Sequence, residues 1–254
     1  MKTFLQHKLI TASLATVTTL SFLLPLTSAE ARITFKAPEN LGDAPGRRVA
    51  GAARDRKYCI LDNDNERLTA IVPRSNIGLT TEDKPVLYFY VPQTSKQAKY
   101  ELVVQDKSGE FVKQTYKPSG KSGIVAIPLT KSSLKVGEEY RWYFAVVCNS
   151  DARSTDEVVR GSIKRVQPQD QLLTKLKSAT PQERVTLYAQ AGIWQDSLNA
   201  LAQLRSSRPT DAELKADWEA LLTGEGVGLD KEEKSPGKLV HAPLLLGQEA
   251  PQPL

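Results

Sequence analysis

The sequence predicts a mostly β protein with a C-terminal α part: a two-sheet sandwich followed by a short helical hairpin domain. Three observations predict it. Tyr140 to Cys148 is apolar on both faces of a strand period, with Arg141 its only charge, and such a strand belongs in the middle of a packed sheet. Further short period-two runs flank it, separated by turn residues, a spacing that suits a sandwich of about a hundred residues. After Val166 the apolar period lengthens to three or four residues, as on a helix face.

Taken in order, the chain opens with Lys2, Lys8 and an uncharged run from Leu9 to Leu26. Ala29-Glu30-Ala31 follows as a small-x-small cleavage pattern, so residues 1–31 read as a secretory signal peptide, with a retained anchor as the rival. The chain is thus expected to be extracytoplasmic, periplasmic or secreted, with no transmembrane segment after cleavage. Residues 32–57 hold Pro38, Pro45 and a basic cluster of Arg47, Arg48, Arg54, Arg56 and Lys57. They read as a basic extended linker, and contact with anionic lipid or polysaccharide is their functional alternative.

Residues 58–166 form the expected sandwich. Its strands are Leu68–Val72, Val86–Val91, Tyr100–Asp106, Glu110–Tyr116, Gly123–Leu129, Tyr140–Cys148 and Glu157–Val166. Val86–Val91 is also apolar on both faces and is expected to be central; Lys113, Gln114, Arg160 and Lys164 suggest outer or edge strands. Leu134, Gly137 and Tyr140 resemble the tyrosine corner of immunoglobulin-like and fibronectin type III sandwiches, with Trp142 innermost. In that motif the tyrosine hydroxyl bonds to backbone upstream, and Gly137 supplies the positive φ of the turn.

Residues 167–223 read as helical. Leu172, Leu173 and Leu176 make one helical turn, and Thr180-Pro181-Gln182-Glu183 is a capping box with proline at the first helical position. Gly192 ends that helix. Trp194, Leu198 and Leu201 start the next, and Thr210-Asp-Ala-Glu213 reads as a second capping box. Leu187 to Pro209 resembles one tetratricopeptide unit, with Ser197 where that repeat has alanine. One such hairpin cannot bury its own faces, so Trp194 and Trp218 are candidates either for packing within the chain or for a partner surface. Residues 224–254 are rich in Gly, Pro and charge and read as a flexible tail, within which Leu239 to Leu246 is the stretch able to tuck back as a short strand or turn.

In an oxidising compartment Cys59 and Cys148, the only two cysteines, are expected to pair. Closing so long a loop contributes about 4 kcal/mol in the chain-entropy model. Several stretches together resemble a family of exported cyanobacterial proteins classed as domain of unknown function 928. They are Gly46-Arg47-Arg48-Val49-Ala50-Gly51, Leu68 to Pro73, Gly78-Leu79-Thr80, Tyr88 to Pro92, Tyr140 to Cys148 and Tyr188 to Trp194. The resemblance implies export and a two-part build, and supplies no activity.

The catalytic patterns are few. His241 is the one histidine beyond the leader, while triads and multi-histidine metal sites need a positioned imidazole. A disulfide removes the thiolate that cysteine catalysis requires. The candidate metal residues are Asp62, Asp64 and Glu66, whose alternate carboxylates offer oxygens to calcium, with Asp151 and Asp156 expected at the same pole. The net charge of +5 is mild and spread along the chain, which argues against a nucleic-acid partner. The expected function is a non-enzymatic binding or envelope-assembly module, its partner an envelope protein or polysaccharide. The alternatives are a carboxylate-dependent glycan-active enzyme and a calcium-stabilised structural module.

Overall fold

The computed structural model describes residues 32–51, 59–61, 66–231 and 238–254. Arg32–Leu254 gather into one body that is mostly β, with four helices toward the C-terminus. The strands are β1 (Thr69–Ala70), β2 (Ile77–Thr80), β3 (Val86–Val91), β4 (Lys99–Gln105) and β5 (Phe111–Lys117), then β6 (Gly123–Pro128), β7 (Glu139–Val147), β8 (Glu157–Arg165), β9 (Leu244–Leu245) and β10 (Gln252–Pro253). The helices are α1 (Asp170–Ser178), α2 (Pro181–Gln190), α3 (Trp194–Ser207) and α4 (Ala212–Thr223). A four-stranded sheet runs β1-β3-β6-β9, and a six-stranded sheet runs β10-β5-β4-β7-β8-β2. Most pairs are antiparallel; β2 on β8 and β9 on β6 are parallel.

Side-chain alternation in β3 sets the layering. Leu87, Phe89 and Val91 point into a core shared with Tyr100, Leu102, Trp142, Phe144 and Val146 of the six-stranded sheet. Phe89 stacks on Phe144 with ring centroids 3.9 Å apart and meets Trp142 edge-on at 5.6 Å. Tyr88 and Tyr90 point the other way, into a second core built by α2, α3 and α4. The four-stranded sheet is therefore buried on both faces, and the protein has three layers: six-stranded sheet, four-stranded sheet, helices. Full burial of side chains this large contributes roughly 1.5–3 kcal/mol each.

Of the two readings of Trp194 and Trp218, the structure has packing within the chain rather than a partner surface. Trp194 is fully buried, donates from Nε1 to Ile71 O at 2.9 Å, and meets Phe35 edge-on at 5.0 Å. Trp218 is buried, and the Arg205 guanidinium lies 4.7 Å from its ring centroid. The reason is physical: the outer face of β3 is apolar and needs a cover, and the helices' apolar stripes supply it. Thr180 and Glu183 form the full reciprocal capping box, with Pro181 in the first turn. At α4 the cap is Asp211, which accepts from the Glu213 and Leu214 N–H groups, rather than Thr210.

The expected linker and tail are also structural where they are described. Ile33 and Phe35 are buried in the helical core. Arg47 bridges Arg160 of β8 and Val49 bridges Thr69 of β1, so this segment links the two sheets. Leu239 and Leu245 are buried, and β9 and β10 each line an outer edge, one per sheet. Sheet edges expose unpaired N–H and C=O groups, and short strands satisfy them. Gln114, read as an outer residue, points inward. Its amide donates to Pro128 O and accepts from the Thr130 and Lys131 N–H groups.

The Cys59–Cys148 disulfide is present, with Cα atoms 5.2 Å apart across 89 residues. Two measurements follow from this architecture. All three tryptophans are enclosed, so acrylamide should quench the native fluorescence weakly and the denatured fluorescence strongly. Reducing the disulfide should lower the unfolding free energy by up to about 4 kcal/mol, read as a shifted urea midpoint.

Candidate functional site

The segment Gly46 to Gly51 has a task at nearly every position. Arg48 is buried and donates to Val72 O at 3.0 Å and Val227 O at 2.7 Å. It thereby ties the four-stranded sheet to the loop after α4. Burial, and then the neighbouring Arg74 charge, pull its pKa down to about 10. Val49 and Ala50 pair with Thr69 and Leu68. Arg47 differs: its backbone pairs with Arg160, while its side chain is exposed. The guanidinium lies over Gly51, where a β-carbon would come within 2.6 Å of Nη1. A side chain at position 51 would displace the guanidinium, which the flexible arginine allows.

Arg47 and Gly51 form one wall of a groove of about 360 Å³ on the outer face of the six-stranded sheet. Tyr143 and Arg160, directly opposed on β7 and β8, supply part of its lining. Ser154, Asp156 and Val158 complete it. Directly opposed antiparallel residues project from the same face, which places the Tyr143 ring beside the Arg160 guanidinium. Asp156 is neutralised from outside the groove: Arg153 Nε donates to its Oδ2 at 2.6 Å. Burial pushes the Asp156 carboxyl up even so. Among the described residues, neither Arg47 nor Arg160 has an acidic partner. Two cations, a phenol ring, a hydroxyl and a small apolar surface thus meet in one recess.

A second constellation lies at the seam between α3 and β2. Asp196, in the first turn of α3, accepts from the Thr80 hydroxyl at 2.6 Å, the Thr81 N–H at 2.9 Å and the Thr81 hydroxyl. Burial raises its pKa. Glu82 next to it is also raised, by burial first and then by the Asp196 charge. Beside them Gln195 presses on Gly78, where a β-carbon would lie 2.6 Å from Nε2. This cluster is a clamp: three donors fix one carboxylate and hold the helical layer to the sheet. Sequence reasoning passed over Asp196, although Thr80 and Trp194 were both within stretches singled out for resemblance.

The other expected site residues are placed as follows. Asp62 and Asp64 lie outside the described residues. The Glu66 carboxylate is buried, takes the Tyr90 and Ser122 hydroxyls, and lies 3.6 Å from Lys238 Nζ. Asp151 is exposed beyond β7, and the Asp156 carboxylate is taken by Arg153. Among the described residues, no three His, Cys, Asp or Glu side chains converge on one point. His241 is exposed in a turn. The Tyr140 hydroxyl accepts from the Lys135 N–H at 3.1 Å, Gly137 has φ +84°, and Trp142 is fully buried.

The family described as Domain of Unknown Function (DUF928) matches residues 49–236. The chain belongs to that family. The DUF928 match takes in both sheets except β9 and β10, all four helices and both cysteines. Tyr143, Asp156 and Arg160 of the groove fall within it, and Arg47 lies two residues before it. Comparison of this DUF928 chain with curated proteins gives no match.

Asp196 yields a prediction with a definite sign. Its folded pKa is raised, so the folded state binds more protons between the unfolded value near 4 and the folded value. Stability from this group is full below about pH 4 and is lost as pH rises through the folded pKa. Relative to Asp196→Asn, the natural chain should therefore gain unfolding free energy on going from pH 7 to pH 4. Asp196→Ala orphans the Thr80 and Thr81 donors and should cost on the order of 2–3 kcal/mol at pH 7 by urea denaturation. Asp196→Asn should cost less.

Proposed function

We propose that this DUF928 protein is an exported, non-enzymatic binding module and that the Arg47–Tyr143–Arg160 groove is its binding site. The observation that carries the reading is the pair of exposed guanidinium groups that, among the described residues, have no acidic partner beside one aromatic ring. Glu101, Lys113, Arg153 and Asp156 on that face pair with one another, whereas this pair in a recess is binding capacity held open for a ligand.

Export is supported by the leader-like sequence at residues 1–31 and by the disulfide. In this reading the two sheets are an immunoglobulin-like sandwich with a tyrosine corner at Tyr140, and α2–α3 is a tetratricopeptide-like hairpin adapted to cover a sheet. The parallel edge strands β2 and β9 are departures from that sandwich. A non-enzymatic role is favoured by where the acids go: Glu66, Glu157 and Asp196 are spent on internal hydrogen bonds.

The test is retention from an envelope extract of the producing cells, with bound small molecules and glycans identified by mass spectrometry. The natural protein should retain a defined set of compounds without altering them. An Arg47→Gln/Arg160→Gln variant should lose that set. Equal retention by the variant sinks the groove, and chemical conversion of a retained compound sinks the non-enzymatic reading.

A further inference from the structure

We propose that the ligand of the groove is an acidic glycan, a saccharide chain bearing carboxylate or sulfate groups, laid along β7 across two adjoining recesses. This rests on the groove being the binding site and adds what it recognises.

Charge on the outer face of the six-stranded sheet is the first argument. Glu101 is paired with Lys113 and Arg153, and Arg153 also holds Asp156. Glu139 stands directly opposite Lys164 across β7 and β8, a favourable cross-strand arrangement. Around Tyr143, what remains among the described residues is Arg47, Arg160 and Arg141, all exposed and without acidic partners. The complementary ligand is therefore anionic. Arginine's planar fork suits a two-oxygen anion such as carboxylate or sulfate.

Surface chemistry narrows the class. The Tyr143 ring and Val158 give apolar contact for the C–H faces of a sugar, and the Ser154 hydroxyl gives hydrogen bonding for its hydroxyls. The exposed large apolar residues described are Leu61, Val136, Val158 and Leu254, and only Val158 lines the groove. A membrane-inserting face needs several. Nucleic acid needs a longer run of phosphate contacts than three arginines supply.

Geometry extends the site beyond one sugar. Arg141 lies two residues before Tyr143 on β7, hence on the same face about 6–7 Å away. It lines a second recess of about 380 Å³ with Gln105, Asp106, Lys107 and Glu139, where two cations stand among two carboxylates. Arg47, Arg160 and Tyr143 form a row across the strands, and a chain following β7 meets that row first and then Arg141. A polymer uses this spacing, whereas a single small anion uses one end of it.

The test is calorimetric titration of the full exported chain at about 0.15 M salt, where exposed charges are well screened. The probes are oligogalacturonates of increasing length, dextran sulfate, neutral dextran, inorganic phosphate and phosphatidylglycerol vesicles. Oligogalacturonate or dextran sulfate should bind, more tightly with length, and neutral dextran should not. Arg47→Gln/Arg160→Gln should weaken binding by on the order of tenfold per arginine. Arg141→Gln should weaken long oligomers more than short ones, and Lys215→Gln on α4 should change binding less than twofold. Arg47→Lys/Arg160→Lys, which keeps charge and fold but loses the fork, should fall between. Neutral dextran binding equally well, vesicles binding more tightly than any glycan, or phosphate competing at equal molarity each overturns the proposal. So does the absence of binding to both acidic glycans. If those glycans fail while extract retention still depends on Arg47 and Arg160, the groove stands and the ligand class falls.

Discussion

The rest of the structure depends on β3 having no wet face. Val86–Val91 carries two interleaved apolar rows, and one strand cannot bury both in a two-layer protein. A third layer is therefore required. The helices meet the requirement by stacking Trp194, Trp218 and their leucines on the Tyr88 and Tyr90 side. The N-terminal Ile33 and Phe35 and the C-terminal Leu239 and Val240 close the same core from outside the helices. Segments from both ends of the chain thus end up covering its middle.

Polar groups fix the layers in register where apolar packing alone would let them slide. Asp196 joins α3 to β2 through three donors, and Arg48 joins the sheet to the loop after α4 through two carbonyls. Each is a charge taken out of water and compensated by fixed partners, an arrangement that costs desolvation but is directional. The arginines on the opposite, outer face, by contrast, have no acidic partner among the described residues. Asp196 and Arg48 have fixed partners; around Tyr143 the cations are open to solvent.

Sequence legibility followed locality. Val86–Val91 was read to the residue and Tyr140–Cys148 to within one, because their apolar runs are self-contained. β2 was missed because Ile77–Thr80 is four residues long, contains a glycine and pairs in parallel with the distant β8. β9 and β10 are two residues each and carry almost no periodic signal. The groove was half visible: Arg47 stood out in a basic cluster, but Arg160 read only as an interruption of its strand. Their meeting depends on a single bridge across the fold. Trp194 and Trp218 show the same limit, since a helix's apolar stripe is written in sequence and its cover is not.

The closure of the core by segments from both ends has a kinetic side. Arg48 meets Val227 across 179 residues, and β6 pairs with β9, so many contacts that hide β3 are distant in sequence. Chains of this kind fold slowly because long loops must close before the contacts form. Until then Val-Leu-Tyr-Phe-Tyr-Val stands open, a segment with the composition of an amyloid-forming strand. Lys84-Pro85 immediately before it and Pro92 immediately after it act as gatekeepers, a charge and two imino acids that discourage intermolecular stacking while the chain waits to be covered.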